Sequence, residues 1–150
     1  MLKLYHGTCS LFADSIRKDG LLPNAHKFEM RNTNGIALDV DPVVYVTTRR
    51  ELAEEFARFR ATYEQTDPGN LIHANLTSLP NIKQSGEAHP EAKPAVVTIN
   101  LPEDWKEYLI PDGDWDELSQ LFGVPAYECT KPIPSEYITR ISTLRSKHNA

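Results

Sequence analysis

Three residues combine a reactive side chain with a setting that restricts what it can do: His6, Tyr45 and Glu128. Glu128 lies within Ala126-Tyr127-Glu128-Cys129-Thr130, a segment with strand character. A carboxylate between a tyrosine and a cysteine is expensive to desolvate without a partner, so it must face water or a polar cleft. An ordinary outward-facing strand residue meets the same demand. His6 precedes Gly7 and Thr8. Glycine lets a ligand come close to the backbone, so the Gly7 amide and carbonyl could clamp a planar amide while His6 bonds a hydroxyl. A strand-terminal histidine beside a turn glycine is the plainer reading. Tyr45 is by default a core aromatic. The same ring could instead offer one flat face to a heteroaromatic ligand, with Phe56 on the next helix offering the other.

The elements that must position these residues are set by periodicity. Leu2-Lys3-Leu4-Tyr5-His6 alternates like a half-buried strand, with Gly7-Thr8 breaking it. Ser10 is an expected N-cap for a short helix carrying Phe12 and Ile16, which Gly20 stops. Residues 22–42 read as a long surface loop. Val43 to Thr47 reads as a central strand, and Thr48 with Glu51 has the spacing of a capping box opening a helix over 49–62. The stretch 65–94 reads as irregular structure or a mobile lid, and 95–99 and 108–110 as strands. Asp114 and Glu117 suggest a helix over 115–122 closed by Gly123. Strands at 127–130 and 137–143 come next, then a frayed polar tail from 145. No internal repeat or second domain is evident, so the expectation is a single domain over 1–150.

Composition limits the function classes. The chain has 150 residues, 40% of them hydrophobic and 25% charged, with 16 Lys+Arg against 21 Asp+Glu for a net charge of −5. At this length about 68–70% of the unfolded surface can be buried, enough for a core without staples. The acidic balance argues against a surface that is wholly a nucleic-acid clamp. No apolar run reaches the roughly 20 residues a bilayer helix needs. Cys9 and Cys129 allow at most one disulfide, and a start without signal character points to the cytoplasm. With them, His26, His73, His89 and His148 make no zinc-ligand spacing, so no metal is expected. No glycine-rich Rossmann or Walker run occurs. Arg49, Arg50, Arg58 and Arg60 alternate with Glu51, Glu54 and Glu55 as a solvated helix face would; a pyrophosphate or nucleic-acid contact is the sharper alternative.

Three stretches taken together resemble the ADP-ribosyltransferase superfamily of diphtheria-toxin and poly(ADP-ribose) polymerase type. They are Leu4-Tyr5-His6-Gly7-Thr8 with the following Ala13 to Leu21, then Val44-Tyr45-Val46-Thr47 running on to Ala57, then Tyr127-Glu128-Cys129-Thr130-Lys131-Pro132-Ile133-Pro134-Ser135-Glu136-Tyr137-Ile138. The resemblance implies an α+β fold, a split β-sandwich of two small sheets with flanking short helices. It implies NAD as co-substrate, contacted by His6, Gly7, Thr8, Tyr45 and Phe56. His6 would bond a ribose hydroxyl, Gly7 would hold the carboxamide, and Tyr45 would stack on the nicotinamide. Phe56 falls where many members place a second tyrosine, and Ala53 where some place a serine. Glu128, preferred over Glu136, would accept from the nicotinamide-ribose 2′-hydroxyl.

The activity implied by the resemblance is transfer of ADP-ribose to a macromolecular acceptor by His6, Tyr45 and Glu128, in a small domain suggestive of a toxin-like or host-directed effector. The acidic net charge mildly favours a protein acceptor, and the arginines of 49–60 keep nucleic acid open. Ala126, where arginine-modifying members often have Gln or Glu, points away from a guanidinium acceptor. The alternatives are an RNA 2′-phosphotransferase, a simple NAD glycohydrolase, and a catalytically silent domain binding NAD or a partner.

Overall fold

The computed structural model describes residues 1–23, 44–66, 87–111 and 126–145. The expected loops at 22–42 and 65–94, the helix at 115–122 with Asp114, Glu117 and Gly123, and the frayed tail lie wholly or mostly outside them.

Six strands form one antiparallel sheet: β1 Leu2–Cys9, β2 Val44–Thr47, β3 Pro94–Leu101, β4 Leu109–Pro111, β5 Ala126–Cys129 and β6 Ile138–Thr143. Their order is β4-β5-β2-β1-β3-β6. The architecture is α+β, but the expected division into two small sheets is not what the chain adopts. β2 stays paired to β1 through Tyr5 and Thr47, which ties β4-β5-β2 to β1-β3-β6. Full separation would expose two more strand edges, each with unpaired amides and carbonyls. The join is narrow: one Cα pair, against the unbroken run from Leu2↔Leu101 to Cys9↔Pro94 between β1 and β3.

β1 also corrects the expected break at Gly7-Thr8, since it continues to Cys9 and leaves His6 within the strand, opposite Val97. Ser10 caps no helix. Its amide donates to the Lys93 carbonyl at 2.8 Å and its Oγ accepts from the Lys93 amide at 3.0 Å, joining the end of β1 to the approach of β3. A 3₁₀ turn, Ser10–Phe12, then leads into α1, Ala13–Asp19. Gly20 ends α1 as expected: its φ is +79°, and a Cβ there would strike the Ile133 carbonyl oxygen. Leu21 and Ile133 exchange two backbone hydrogen bonds of 2.9 Å just beyond it.

The second helix, α2, spans Arg50–Gln65 without a side-chain cap. The Thr48–Glu51 capping box is not formed; the Thr47 hydroxyl accepts from the Arg49 amide at 3.2 Å instead. Ala53 and Ala57 are fully buried against Val96, with Tyr5 packed beside them. The opposite face of the sheet carries the main core, where Leu4, Val44, Val46, Val97, Ile99 and Cys129 meet Ile16, Ile133 and Trp105. A 3₁₀ segment that periodicity did not reveal, Glu103–Tyr108, delivers Trp105 to this core edge-on to Tyr108 and Tyr137, with ring centroids at 5.4 and 5.7 Å.

Both cysteines are free and fully buried, in different clusters. Burial pushes both thiols above their ordinary pKa. The folded state therefore holds these protons more tightly than the unfolded chain. This contribution to stability is present below the unfolded thiol pKa and is lost as pH rises through the folded value. At pH 8 neither thiol is expected to react with a disulfide reagent faster than the protein opens, and both should react at once in denaturant. A rapidly modified native thiol would contradict the burial of that cysteine.

Candidate functional site

β5, β2 and β1 are consecutive in the sheet and carry Glu128, Tyr45 and His6 respectively. Tyr45 and Glu128 are direct register partners. Residues so placed share a face, with Cβ atoms about 4.5–5.5 Å apart. Both are half-buried, so a ring and a carboxylate stand side by side where solvent reaches them. Strand alternation from the Tyr5↔Thr47 pair puts Tyr5, Thr47, Tyr45 and Glu128 on the face that α2 packs against.

His6 belongs by alternation to the other face, with Leu4 and Thr8. Its imidazole nevertheless reaches the seam between β1 and β2, where Nδ1 lies 2.7 Å from the Tyr45 carbonyl oxygen. A carbonyl only accepts, so Nδ1 carries a proton, and in the neutral ring Nε2 is the acceptor nitrogen. The narrow β1/β2 join explains how the ring gets there: past Tyr5↔Thr47 no further Cα pairs continue the ladder. The structure thus brings the three residues onto adjacent strands, Tyr45 with Glu128 by register and His6 to Tyr45 through its backbone.

Gly7 has a structural role beyond the one expected. A Cβ on it would strike the Ala53 carbonyl oxygen, and would lie 2.7 Å from Phe56 Cβ and 2.8 Å from the Ala57 nitrogen. The glycine lets the α2 backbone settle directly on β1, which fixes Phe56 beside the Gly7 position. Approach to Gly7 from this face is therefore taken by the protein itself. Thr8 is buried and opposite Ala95.

The arginines divide. Arg49, Arg50 and Arg58 reach Glu51, Glu54 and Glu55 at 3.7, 3.4 and 3.3 Å, as a solvated helix face does. Arg60 departs from that reading, because it is buried with Glu64 at 2.9 Å. Among the described residues no group of three His, Cys, Asp or Glu could hold a metal ion, and no helix is long and apolar enough to cross a membrane. Set against family models, curated proteins and solved structures, the chain matches none.

Proposed function

We propose that this chain is a NAD-dependent ADP-ribosyltransferase acting on a macromolecular acceptor. The observation that carries the reading is the facing pair Tyr45↔Glu128, one strand from a histidine whose proton is fixed on Nδ1 by the Tyr45 carbonyl. A tyrosine ring beside a carboxylate suits a substrate with a flat cationic head attached to a sugar. Nicotinamide–ribose is such a substrate. Tyr45 would stack on the pyridinium, with Phe56 as the other wall, and His6 Nε2 would accept from a ribose hydroxyl.

In the reaction the C1′–N bond breaks and its electron pair stays on the ring nitrogen, so nicotinamide leaves neutral. Positive character remains on the ribose. A fixed carboxylate stabilises that oxocarbenium-like state more than it stabilises the ground state, whose positive charge is on the ring. The acceptor nucleophile then bonds C1′, and its proton passes to Glu128 or to solvent.

Incubating the protein with labelled NAD and a cell lysate, then digesting separately with protease, DNase and RNase, tests this. The expected result is released nicotinamide and macromolecular label that one digestion removes. Free ADP-ribose with no labelled macromolecule would replace transfer by hydrolysis. Calorimetric NAD binding without nicotinamide release would replace the enzyme by a binding domain, and neither binding nor release would end the NAD reading altogether.

A further inference from the structure

Where the start of α2 meets β1, β3 and β6 lies a groove of about 330 Å³ whose walls hold three cations, Lys3, Arg50 and Arg140, and no carboxylate. In a chain with a net charge of −5 this is a marked local reversal of sign. Lys3 and Arg140 are exposed and make no ion pair among the described residues. Arg50 reaches Glu54 through Nε at 3.4 Å, which leaves its terminal nitrogens as further donors. On one concavity, Lys3 and Arg140, with no carboxylate partner among the described residues, repel each other, a cost that an anionic occupant would remove.

The backbone is shaped for this arrangement. Lys3 pairs with Asn100 and Tyr5 with Thr98, which in turn pairs with Arg140, so strand alternation sends these side chains to one face. Between Thr98 and Ile99 the register shifts, because Arg140 opposes Thr98 while Ile138 opposes Ile99. Thr139 is the extra residue of this β-bulge, and both it and Arg140 line the groove. Regular alternation would have sent one of them to the other face. Bulges re-aim side chains in this way.

The remaining walls indicate what kind of anion fits. Tyr5, half-buried, packs against the cluster of Ala53, Ala57 and Val96 and also lines the groove. Asn100 and the two threonines add neutral polar groups for sugar or base edges. Cations for phosphates beside an aromatic platform for a base are the combination used to bind single-stranded nucleic acid. We infer that this groove binds a single-stranded nucleic acid, its phosphates held by Lys3, Arg50 and Arg140 and one base stacked on Tyr5. A phosphopeptide would use the cations but carries no nucleobase to stack on the ring. The inference stands apart from NAD chemistry and needs no NAD in its test.

Fluorescence anisotropy with a fluorescein-labelled deoxythymidine 12-mer supplies the measurement. Three neutralised phosphates on a single strand give a log–log salt slope of about −2, or a roughly 20-fold weakening between 50 and 200 mM salt. The double variant Lys3→Ala/Arg140→Ala should weaken binding at least about tenfold at 50 mM salt and bring the slope to about −0.7. Tyr5→Leu keeps an apolar contact with α2 and should weaken binding at least about fivefold with the slope unchanged. Three results would overturn the assignment: no binding at 50 mM salt, equal binding by the double variant, or displacement of the 12-mer by a duplex or phosphopeptide of matched charge as effectively as by unlabelled 12-mer.

Discussion

Glu128→Gln is expected to slow nicotinamide release from NAD by about 10²–10³-fold while leaving NAD binding nearly unchanged. The substitution keeps the side chain's size and its place opposite Tyr45 and removes only the charge. In ground-state NAD the positive charge resides on the pyridinium ring, which Tyr45 and Phe56 would face. It moves to the ribose only as the glycosidic bond stretches. An anion beside that carbon is therefore worth most in the transition state, so its loss appears in kcat and leaves KM little changed.

Tyr45→Ala should give the opposite pattern, because stacking on nicotinamide acts in the ground state and the transition state alike. NAD binding would weaken first, and Tyr45→Phe, which keeps the ring, would largely restore it. Stability gives the control. Glu128 is half-buried on a short strand, and the glutamine can keep the β2/β5 pairing, so the urea midpoint should hold. A Glu128→Gln protein that releases nicotinamide at the wild-type rate would remove this residue from the chemistry, whatever the digestion experiment finds.

How much of the fold and site was legible in the sequence depended on whether a local pattern determined the outcome. Strand alternation and β-branched content located β2 and β3 to within a residue or two, and Gly20 was readable as a helix stop because only glycine tolerates that backbone. Cap positions were less legible. Ser10 had a competing partner in Lys93, and beside Thr48 it is Thr47 whose hydroxyl bonds a local amide, that of Arg49; side-chain oxygens near helix starts choose among several amides. Gly7 looked like a strand breaker because the helix that needs its missing Cβ arrives more than forty residues later. The co-location of Tyr45 and Glu128 could be expected only from resemblance, since spacing does not reveal that β5 pairs with β2. Arg140 was invisible as a groove residue because its direction depends on a bulge. The two-sheet expectation failed at one Cα pair, a detail that no sequence pattern encodes.

Arg60 shows the same limitation with a larger energetic consequence. Interleaved with Glu51, Glu54 and Glu55, it reads as one more solvated cation, but its side chain and that of Glu64 are each only 9% exposed and 2.9 Å apart. The guanidinium carbon lies 4.9 Å from the Phe12 ring centroid and 5.6 Å from that of Tyr63. Burial draws the Arg60 pKa below its ordinary value and the Glu64 carboxylate partly restores it, so the charge is retained at a desolvation cost that its partner offsets. The pair also sits where α2 anchors the chain leading into β3. The His89 amide donates to the Glu64 carbonyl at 2.7 Å, and the Gln65 side chain donates to the Ala92 carbonyl at 2.6 Å.

Arg60→Leu should therefore destabilise the protein by about 3–5 kcal/mol, because it leaves the Glu64 carboxylate buried without its guanidinium. For a domain of this size that corresponds to a melting temperature lower by roughly 6–20 °C. The double variant Arg60→Leu/Glu64→Leu should recover most of the loss, since an apolar pair of similar volume carries no desolvation cost and can pack against Phe12 and Tyr63. Urea unfolding of the wild type, both single variants and the double variant closes the cycle. If the double variant loses as much as the two singles combined, the residues act independently, and Arg60 matters for its contacts with the aromatic rings and not for its charge.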